Sequence, residues 1–573
     1  MDGGKKVSDT ISEKKKTGEF YTPDKLAKLM VELLFEGFDP VKDPEPKILD
    51  PSCGNGQLLI ALFLKIFDIY SPCWANKENL KIHIVKNMIY GMDIDILGLE
   101  KSKSRLFELS GIMSSNLFCY DFLTEKGDKF KSLKGNFTHI IGNPPYIGHK
   151  SLELEYKKKL KNIFSGIYEN KTDILSCFFP AALNLIKGNG KIVFITSRYY
   201  LEAPTYRGLR TYLQMNCGIE RIIDFDDLNV FKDARVASCI TIFTKNKTKD
   251  HSFFYERFVG KIEKVSLINS NECRITLNGF GNFIRRSSNQ ESLDRQGWSF
   301  PSDVELEIRQ LIEKKANYKL KDVFTSHQGI ITGCDKAFVI MGEMGKEEVK
   351  DWSESELVLL RPWIKNSWIE KYFIEARNYK LIYTDGIKDI SEFPNIEKRL
   401  SFYREKLENR RETKKNIRKW YELQWGRSEE IFVKQKIVHP YKANENRFAI
   451  DDNGNFCSAD VYLMLPKPGF EYYLEYLTAV LNSSIYDMYF KSFGKRMGAK
   501  IFDYYPNKVM EMKVYIPENK AEVDAIVKLY EKMIVKYKSR ILVNREIKSK
   551  DEILIEEEIM SKIDEEVIKL LLS

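Results

Sequence analysis

Five consecutive residues, Gly142-Asn143-Pro144-Pro145-Tyr146, follow the apolar run His139-Ile140-Ile141 and carry the most specific chemistry in the chain. A strand that ends in Asn-Pro-Pro-aromatic leaves a side-chain amide, one or two carbonyls and a ring at its C-terminal end. Each proline locks φ and removes a backbone donor, so the carbonyls are presented as acceptors rather than consumed in a turn. That set suits a planar amino group, with two acceptors for its two hydrogens and an aromatic face for its ring. An ordinary Pro-rich turn is the alternative; Tyr146 and the preceding strand weigh against it.

A second cluster, Asp50-Pro51-Ser52-Cys53-Gly54-Asn55-Gly56, also follows a short apolar run and precedes a helical pattern. Small residues there let a ligand approach the backbone, and the helix start favours negative charge. The run is neither G-x-G-x-x-G nor a phosphate loop, so a nucleotide with a pyrophosphate is not the natural guest. Asp93, at the end of the run Gly91-Met92-Asp93 and followed by Ile94, could accept from both hydroxyls of a ribose. Asp121-Phe122 places an acceptor beside an aromatic plate that suits an adenine amino group. An Asp at a strand end is more often a cap or turn residue. In order, at successive strand ends, these signals reinforce one another.

The elements that must hold them are legible as alternation. Strands are expected at 47–50, 88–93, 117–120, 139–142, 191–196, 221–224 and 238–243, with helices at 23–35, 57–67, 96–110 and 174–187. That order predicts an α/β fold, a Rossmann-like, seven-stranded, mainly parallel domain over 1–250. Beyond the charged stretch 244–250 the texture changes. A connector is expected over 251–305, a mixed α+β domain rich in aromatics and isolated glycines over 306–513, and charged amphipathic helix over 514–573. The 573 residues hold 43% hydrophobic and 30% charged residues, an ordinary globular balance. Net charge is only +9, so a polyanion would need a local basic surface. Nine scattered Cys without a C-x-x-C pair argue for a reducing compartment. Six scattered His make no ligand cluster, so no metal is expected. No apolar run approaches the about 18 residues of a membrane span, and the polar N-terminus lacks a signal-peptide core. A cytoplasmic protein is expected.

With these motifs in order, the chain resembles the amino-type DNA adenine-N6 methyltransferases that carry a C-terminal target recognition domain. The resemblance covers nearly the whole length. Gly18-Glu19-Phe20-Tyr21-Thr22-Pro23 looks like the family's N-terminal cofactor motif, DPSCGNG its S-adenosylmethionine loop and NPPY its catalytic motif, in the gamma arrangement. Phe231, in VFKDARVASCITIF, stands where the family has a second aromatic bordering the target base. Downstream, QGIITGCDKAF, ENRRETKKNIRKWYELQWGR, YKANENRFAI, FCSADVY and FDYYPNK are similar to the solitary adenine methyltransferases of the Clostridioides type. One departure is the 43-residue separation of Asp50 from Asp93, read as an insertion over 68–86.

The resemblance implies S-adenosylmethionine as cofactor, S-adenosylhomocysteine as product, and double-stranded DNA as partner, with an A-rich site of CAAAAA type. It implies catalysis by Asn143, Pro144, Pro145 and Tyr146, with Tyr146 and Phe231 stacking the flipped base. Cofactor contacts are expected from Tyr21, Thr22, Pro23, Asp50, Pro51, Ser52, Cys53, Gly54, Gly56, Asp93, Ile94, Asp121 and Phe122, besides Asn143 and Pro145. Cys53 and Cys239 lack the Pro-Cys context of a cytosine C5 enzyme and read as small packing residues.

For DNA, 401–447 holds 13 Lys and Arg against 7 Asp and Glu with seven aromatics interleaved. A solvated helix face is the alternative for ETKKNIRK alone. Gln328, Arg418, Lys419, Lys442, Asn444 and Arg447 are the candidate contacts, since basic residues neutralise phosphates and Asn, Gln and Arg read base edges. A fused nuclease is not expected, with only 17 residues before Gly18, and neither is an oligomer. The rivals are an RNA or protein-glutamine N-methyltransferase, which share Asn-Pro-Pro-Tyr, and a non-catalytic DNA-binding module.

Overall fold

The computed structural model describes residues 21–124, 135–169, 172–226, 228–231, 236–259, 273–277, 279–342, 344–375, 377–498, 501–542 and 550–573. The chain divides into two compact units, 1–300 with 497–500, and 301–496 with 501–573.

Short apolar runs between helical patterns make the core of the first unit a mostly parallel sheet, buried on both faces and flanked by helices. Its strands are β1 (Ile48–Asp50), β2 (Ile89–Asp93), β3 (Leu117–Cys119), β4 (Phe137–Gly142), β5 (Ile186–Ser197), β6 (Gly218–Asp224) and β7 (Ser238–Thr244). They lie in the order β3-β2-β1-β4-β5-β7-β6, with β7 antiparallel to both neighbours. All seven expected strands are present. The sheet continues, however, through β8 (Ser252–Phe258), β9 (Cys273–Leu277) and β10 (Gly281–Asn289), in the order β6-β8-β10-β9. Residues 251–305, expected as a connector, thus add three strands, giving ten in all. They read poorly because they carry buried charge: Glu256 accepts from Arg221 and Arg285, each at 2.7 Å, and is itself fully buried.

Helices α1 (Asp24–Leu34), α2 (Gln57–Tyr70), α3 (Ile96–Ser110), α4 (Leu154–Ile163), α5 (Leu175–Leu185) and α6 (Arg207–Asn216) flank the sheet. Helix α1 buries Leu26, Leu29, Met30 and Leu33, the stripe its spacing predicts. Residues 68–86 end α2 and add a further short helix, Lys77–His83, before β2.

The second unit is mixed α+β. Strands Phe324–Gln328, Val461–Pro466, Lys436–Pro440 and Ala449–Asp451 form an antiparallel sheet in that order. A second sheet holds Val339–Ile340, Lys380–Ile382, Leu360–Ile364 and Phe456–Cys457. The long helices Lys520–Leu542 and Lys550–Leu572 bury Ile526, Tyr530, Met533, Ile563 and Val567 in the same apolar cluster as Leu477 and Phe490.

Candidate active site

Parallel pairing sets Asp50 beside Gly91 and Asp93 beside Cys119, while β4 flanks β1 on its other side. The C-terminal ends of β1 to β4 therefore share one edge, where open α/β sheets bind ligands. A cleft of roughly 910 Å³, counted to its open mouth, lies there. Pro51, Ser52 and Gly54 line it from the first loop, Asp93, Ile94 and Asp95 from the second, Asp121 and Phe122 from the third. Asn143, Pro144 and Pro145 line it from the fourth, with Tyr21 from the segment before α1.

The glycine loop is pinned by the Asp93 loop and by α3. Gly54 N donates to Asp93 Oδ2 at 2.7 Å, and Asp95 N to Asp93 Oδ1 at 2.9 Å. From α3, Ser102 Oγ donates to the Gly54 carbonyl at 2.6 Å and Arg105 to the Asn55 carbonyl at 2.7 Å. Gly54 and Gly56 take φ of +49° and +80°, and a Cβ on Gly56 would lie 2.9 Å from Ser102 Oγ. Asp93 thus shapes the loop and also faces the cleft. Each carboxylate oxygen can accept more than one bond, so capacity for ribose hydroxyls remains. Behind it Asp50 is 1% exposed, and its carboxyl is pushed up to about 8, chiefly by desolvation and further by the Asp93 charge.

The Asn143 corner is equally constrained. Ser52 Oγ donates to the Asn143 carbonyl at 3.3 Å, and Asn143 Nδ2 donates to Thr22 Oγ1 at 3.3 Å. Thr22 therefore orients the carboxamide, its nitrogen towards the start of α1 and its oxygen away from it. After Tyr146, Ile174 N donates to the Ile147 carbonyl at 3.3 Å, and the Ile147 amide bonds the Asp173 carboxylate, which also accepts from Leu175 N at 2.9 Å. Burial pushes the Asp173 carboxyl up to about 7. Phe231 is buried and meets Tyr146 edge to face, ring centroids 6.5 Å apart.

The remaining sequence expectations divide between lining and support. Thr22, Pro23, Asp50, Cys53, Gly56, Tyr146 and Phe231 stand outside the lining of the cleft. Cys53 is packed against Gly91, its thiol pushed well above the usual range by burial. Asp121 accepts from Leu123 N at 2.9 Å and from Thr124 Oγ1. Phe122 stacks on Phe178 at 5.4 Å, so its ring is one wall of the cleft. Gly18, Glu19 and Phe20 lie outside the described residues. Sequence reasoning passed over Asp173, Tyr156, Ile174 and Phe178. A carboxylate directly before the apolar run of α5 was the available signal for Asp173.

The lining suits the implied cofactor. Three aspartates and no lysine or arginine are among the described residues that line the cleft. An acidic, aromatic, glycine-floored cleft fits a sulfonium cation with a nucleoside's hydroxyls and amine, and would repel a polyphosphate.

In the second unit the basic run is largely engaged. Arg418 pairs with Asp385 at 3.2 Å and lies over Trp425; Lys419 donates to the Lys388 carbonyl at 2.7 Å. Arg447 donates to the Ile369 carbonyl and lies 3.8 Å from Glu370. Gln328 donates to the Ala459 carbonyl at 2.9 Å, Lys442 lies over the Tyr441 ring, and Asn444 is exposed. Among the described residues no helix is long and apolar enough to cross a membrane, and no His, Cys, Asp and Glu group could hold a metal ion.

Residues 75–231 match the family model of the Eco57I restriction-modification methylase, and 369–514 that of the TaqI-like C-terminal specificity domain. The Type II methyltransferase M.BanIII of Aneurinibacillus aneurinilyticus is 26% identical over 80% of this chain and 83% of its own. M.HindII of Haemophilus influenzae is 25% identical over 86% of each. Among solved structures, the Type IIL restriction-modification enzyme MmeI in complex with DNA shares the fold over 94% of this chain and 73% of its own, with a TM-score of 0.63 and 14% identity. The homologues are Type II DNA methyltransferases, and this chain itself matches a methylase model and a specificity-domain model.

Proposed function

We propose that this chain transfers a methyl group from S-adenosylmethionine to N6 of an adenine flipped out of double-stranded DNA. The observation that carries the reading is the cleft in which the Asn-Pro-Pro motif and the acidic, glycine-floored loop meet, with no basic side chain among the described residues that line it. Tyr21, Gly54, Asp93, Ile94, Asp121 and Phe122 would hold the cofactor, which supplies a methyl already activated on a sulfonium.

An adenine amino nitrogen is a poor nucleophile because its lone pair is delocalised into the ring. The Asn143 carboxamide oxygen and the Pro144 carbonyl accept its two hydrogens and favour a more pyramidal nitrogen. Thr22 accepts from the carboxamide nitrogen, and the oxygen is the atom the amine requires. Positioning and electrostatics then supply most of the acceleration. Inside a duplex the amine is out of reach, so the base leaves the stack at a cost of a few kcal/mol. A base stacked on Tyr146 would meet Phe231 at its edge, because the two rings stand at 85°. Base–aromatic stacking of about 1–3 kcal/mol offsets the flip. The second unit supplies the choice of sequence. Solitary action at an A-rich, CAAAAA-type site rests on the resemblance of the downstream motifs.

Single-molecule sequencing of DNA from a host expressing the chain tests all of this together. Methylated adenine at one recurrent motif is the expected result; unmodified DNA, or modification of cytosine alone, would contradict it.

A further inference from the structure

The second unit carries an arginine that its fold holds out rather than pairs. Arg427 ends the turn Gln424-Trp425-Gly426-Arg427 with φ of +65°, a left-handed conformation that side chains other than Gly, Asn and Asp rarely take. Three anchors impose it. Trp425 and Ile331 exchange backbone hydrogen bonds at 2.9 and 3.1 Å. Tyr383 Oη donates to the Arg427 carbonyl at 2.6 Å. Gly426 is pressed against the Asp385 carboxylate so closely that no Cβ would fit.

The Arg427 side chain is exposed, and among the described residues its guanidinium donates to one group, the Gln328 amide oxygen at 3.3 Å. Other arginines of the second unit differ: Arg361, Arg418 and Arg447 each lie within ion-pair distance of a carboxylate. Gln328 is fixed in turn, since its Nε2 donates to the Ala459 carbonyl at 2.9 Å, which turns its oxygen to Arg427. It ends the edge strand Phe324–Gln328, paired with Tyr462. Tyr462 meets Tyr505 at a centroid distance of 5.7 Å, and Tyr505 meets Tyr441 at 6.0 Å, with Lys442 over Tyr441. Segments far apart in sequence therefore gather around one exposed guanidinium.

We propose that Arg427, aligned by Gln328, determines sequence choice by reading the major-groove edge of a guanine. The inference rests on the reading of the chain as a DNA methyltransferase. A phosphate contact needs only a charge on a flexible stem, whereas a guanine presents two acceptors, O6 and N7, that match a planar fork held in one orientation. Backbone strain persists where the surroundings over-determine it, and such positions cluster at functional sites.

The test uses the full chain as wild type, Arg427→Gly and Arg427→Lys. Each is given S-adenosylmethionine and a pool of duplexes with randomised sequence, and methylated products are sequenced. DNA affinity is measured against salt in parallel. Glycine suits the left-handed backbone, so Arg427→Gly is expected to keep the parent's melting temperature and cofactor affinity. Its preference at one G·C position should fall roughly tenfold or more, the other positions unchanged. Lysine, lacking the fork, should restore at most part of that preference. Equal weakening on every sequence, with the salt slope reduced by about 0.9, would make Arg427 a phosphate contact and overturn the proposal. An unchanged preference in Arg427→Gly also overturns it. A wild type with no sequence preference defeats the underlying reading as well, whereas a selective wild type with an equally selective variant defeats this inference alone.

Discussion

The role proposed for Asn143 rests on a single carboxamide, whose nitrogen donates to Thr22. Two predictions follow from that geometry. Asn143→Ala should lose more than nine-tenths of methyl transfer, at least ~1.4 kcal/mol in barrier terms, while calorimetric cofactor affinity stays near the parent's. Thr22→Val should lower kcat by roughly 2- to 12-fold, the worth of one neutral hydrogen bond, with Thr22→Ser restoring it. If Thr22→Val instead weakens cofactor binding and leaves kcat unchanged, Thr22 is a cofactor contact and does not orient Asn143. At this scale the sequence is informative where chemistry is local. Asn143 and its two prolines declare themselves because the prolines fix their own backbone. Arg418 does not: its partner Asp385 lies 33 residues away, and nothing in ETKKNIRK reveals that the charge is already paired. Asp173 was hidden for the same reason, since the Ile147 amide it holds belongs to another loop.

The loops are set by elements on either side of them, and glycine substitutions separate the contributions. Gly54 and Gly56 are both left-handed, a conformation that costs other residues about 1–2 kcal/mol. A Cβ on Gly54 meets nothing within 4 Å, whereas one on Gly56 lies 2.9 Å from Ser102 Oγ. Gly56→Ala should therefore depress thermal stability and cofactor affinity more than Gly54→Ala, by melting and calorimetry; the reverse order would mean that α3 does not brace the loop. In the second unit, strand Lys436–Pro440 buries His439 completely. Its Nε2 has no hydrogen-bond partner among the described residues, and desolvation pulls its pKa down to about 4. The unfolded chain binds that proton at higher pH than the folded one. Stability from neutral His439 is thus full above about pH 6.5 and lost as pH falls from there towards 4. His439→Phe should flatten that acid limb in melting experiments between pH 7.5 and 4.5, and an unchanged limb would assign it to other groups, such as His139. Seven strands of the large sheet were legible because they are apolar runs buried on both faces. Strands β8 to β10 were not, because buried ion pairs and half-exposed faces give them the texture of loops.

At the level of the whole molecule, the functional division proposed from sequence places cofactor binding in the first 250 residues, while the first compact unit reaches residue 300. Strand β6 is hydrogen-bonded by β8, Arg210 donates to the carbonyls of Arg295 and Gln296, and Gln290 donates to the Cys217 carbonyl at 2.7 Å. A chain ending at 250 loses all three ties. It should melt well below one ending at 300, and only the longer piece should bind S-adenosylmethionine; equal melting would show that the three added strands are dispensable. The proposed reaction has one product, and its identity is read directly in the purified chain. The purified full chain is incubated with methyl-labelled S-adenosylmethionine and duplex DNA, the DNA is digested to nucleosides, and the label is located by mass spectrometry. Label is expected in N6-methyladenine, and is expected to be absent when Asn143→Ala replaces the parent. Label in a cytosine, in added RNA or in protein, with none in adenine of the duplex, would contradict the proposed reaction.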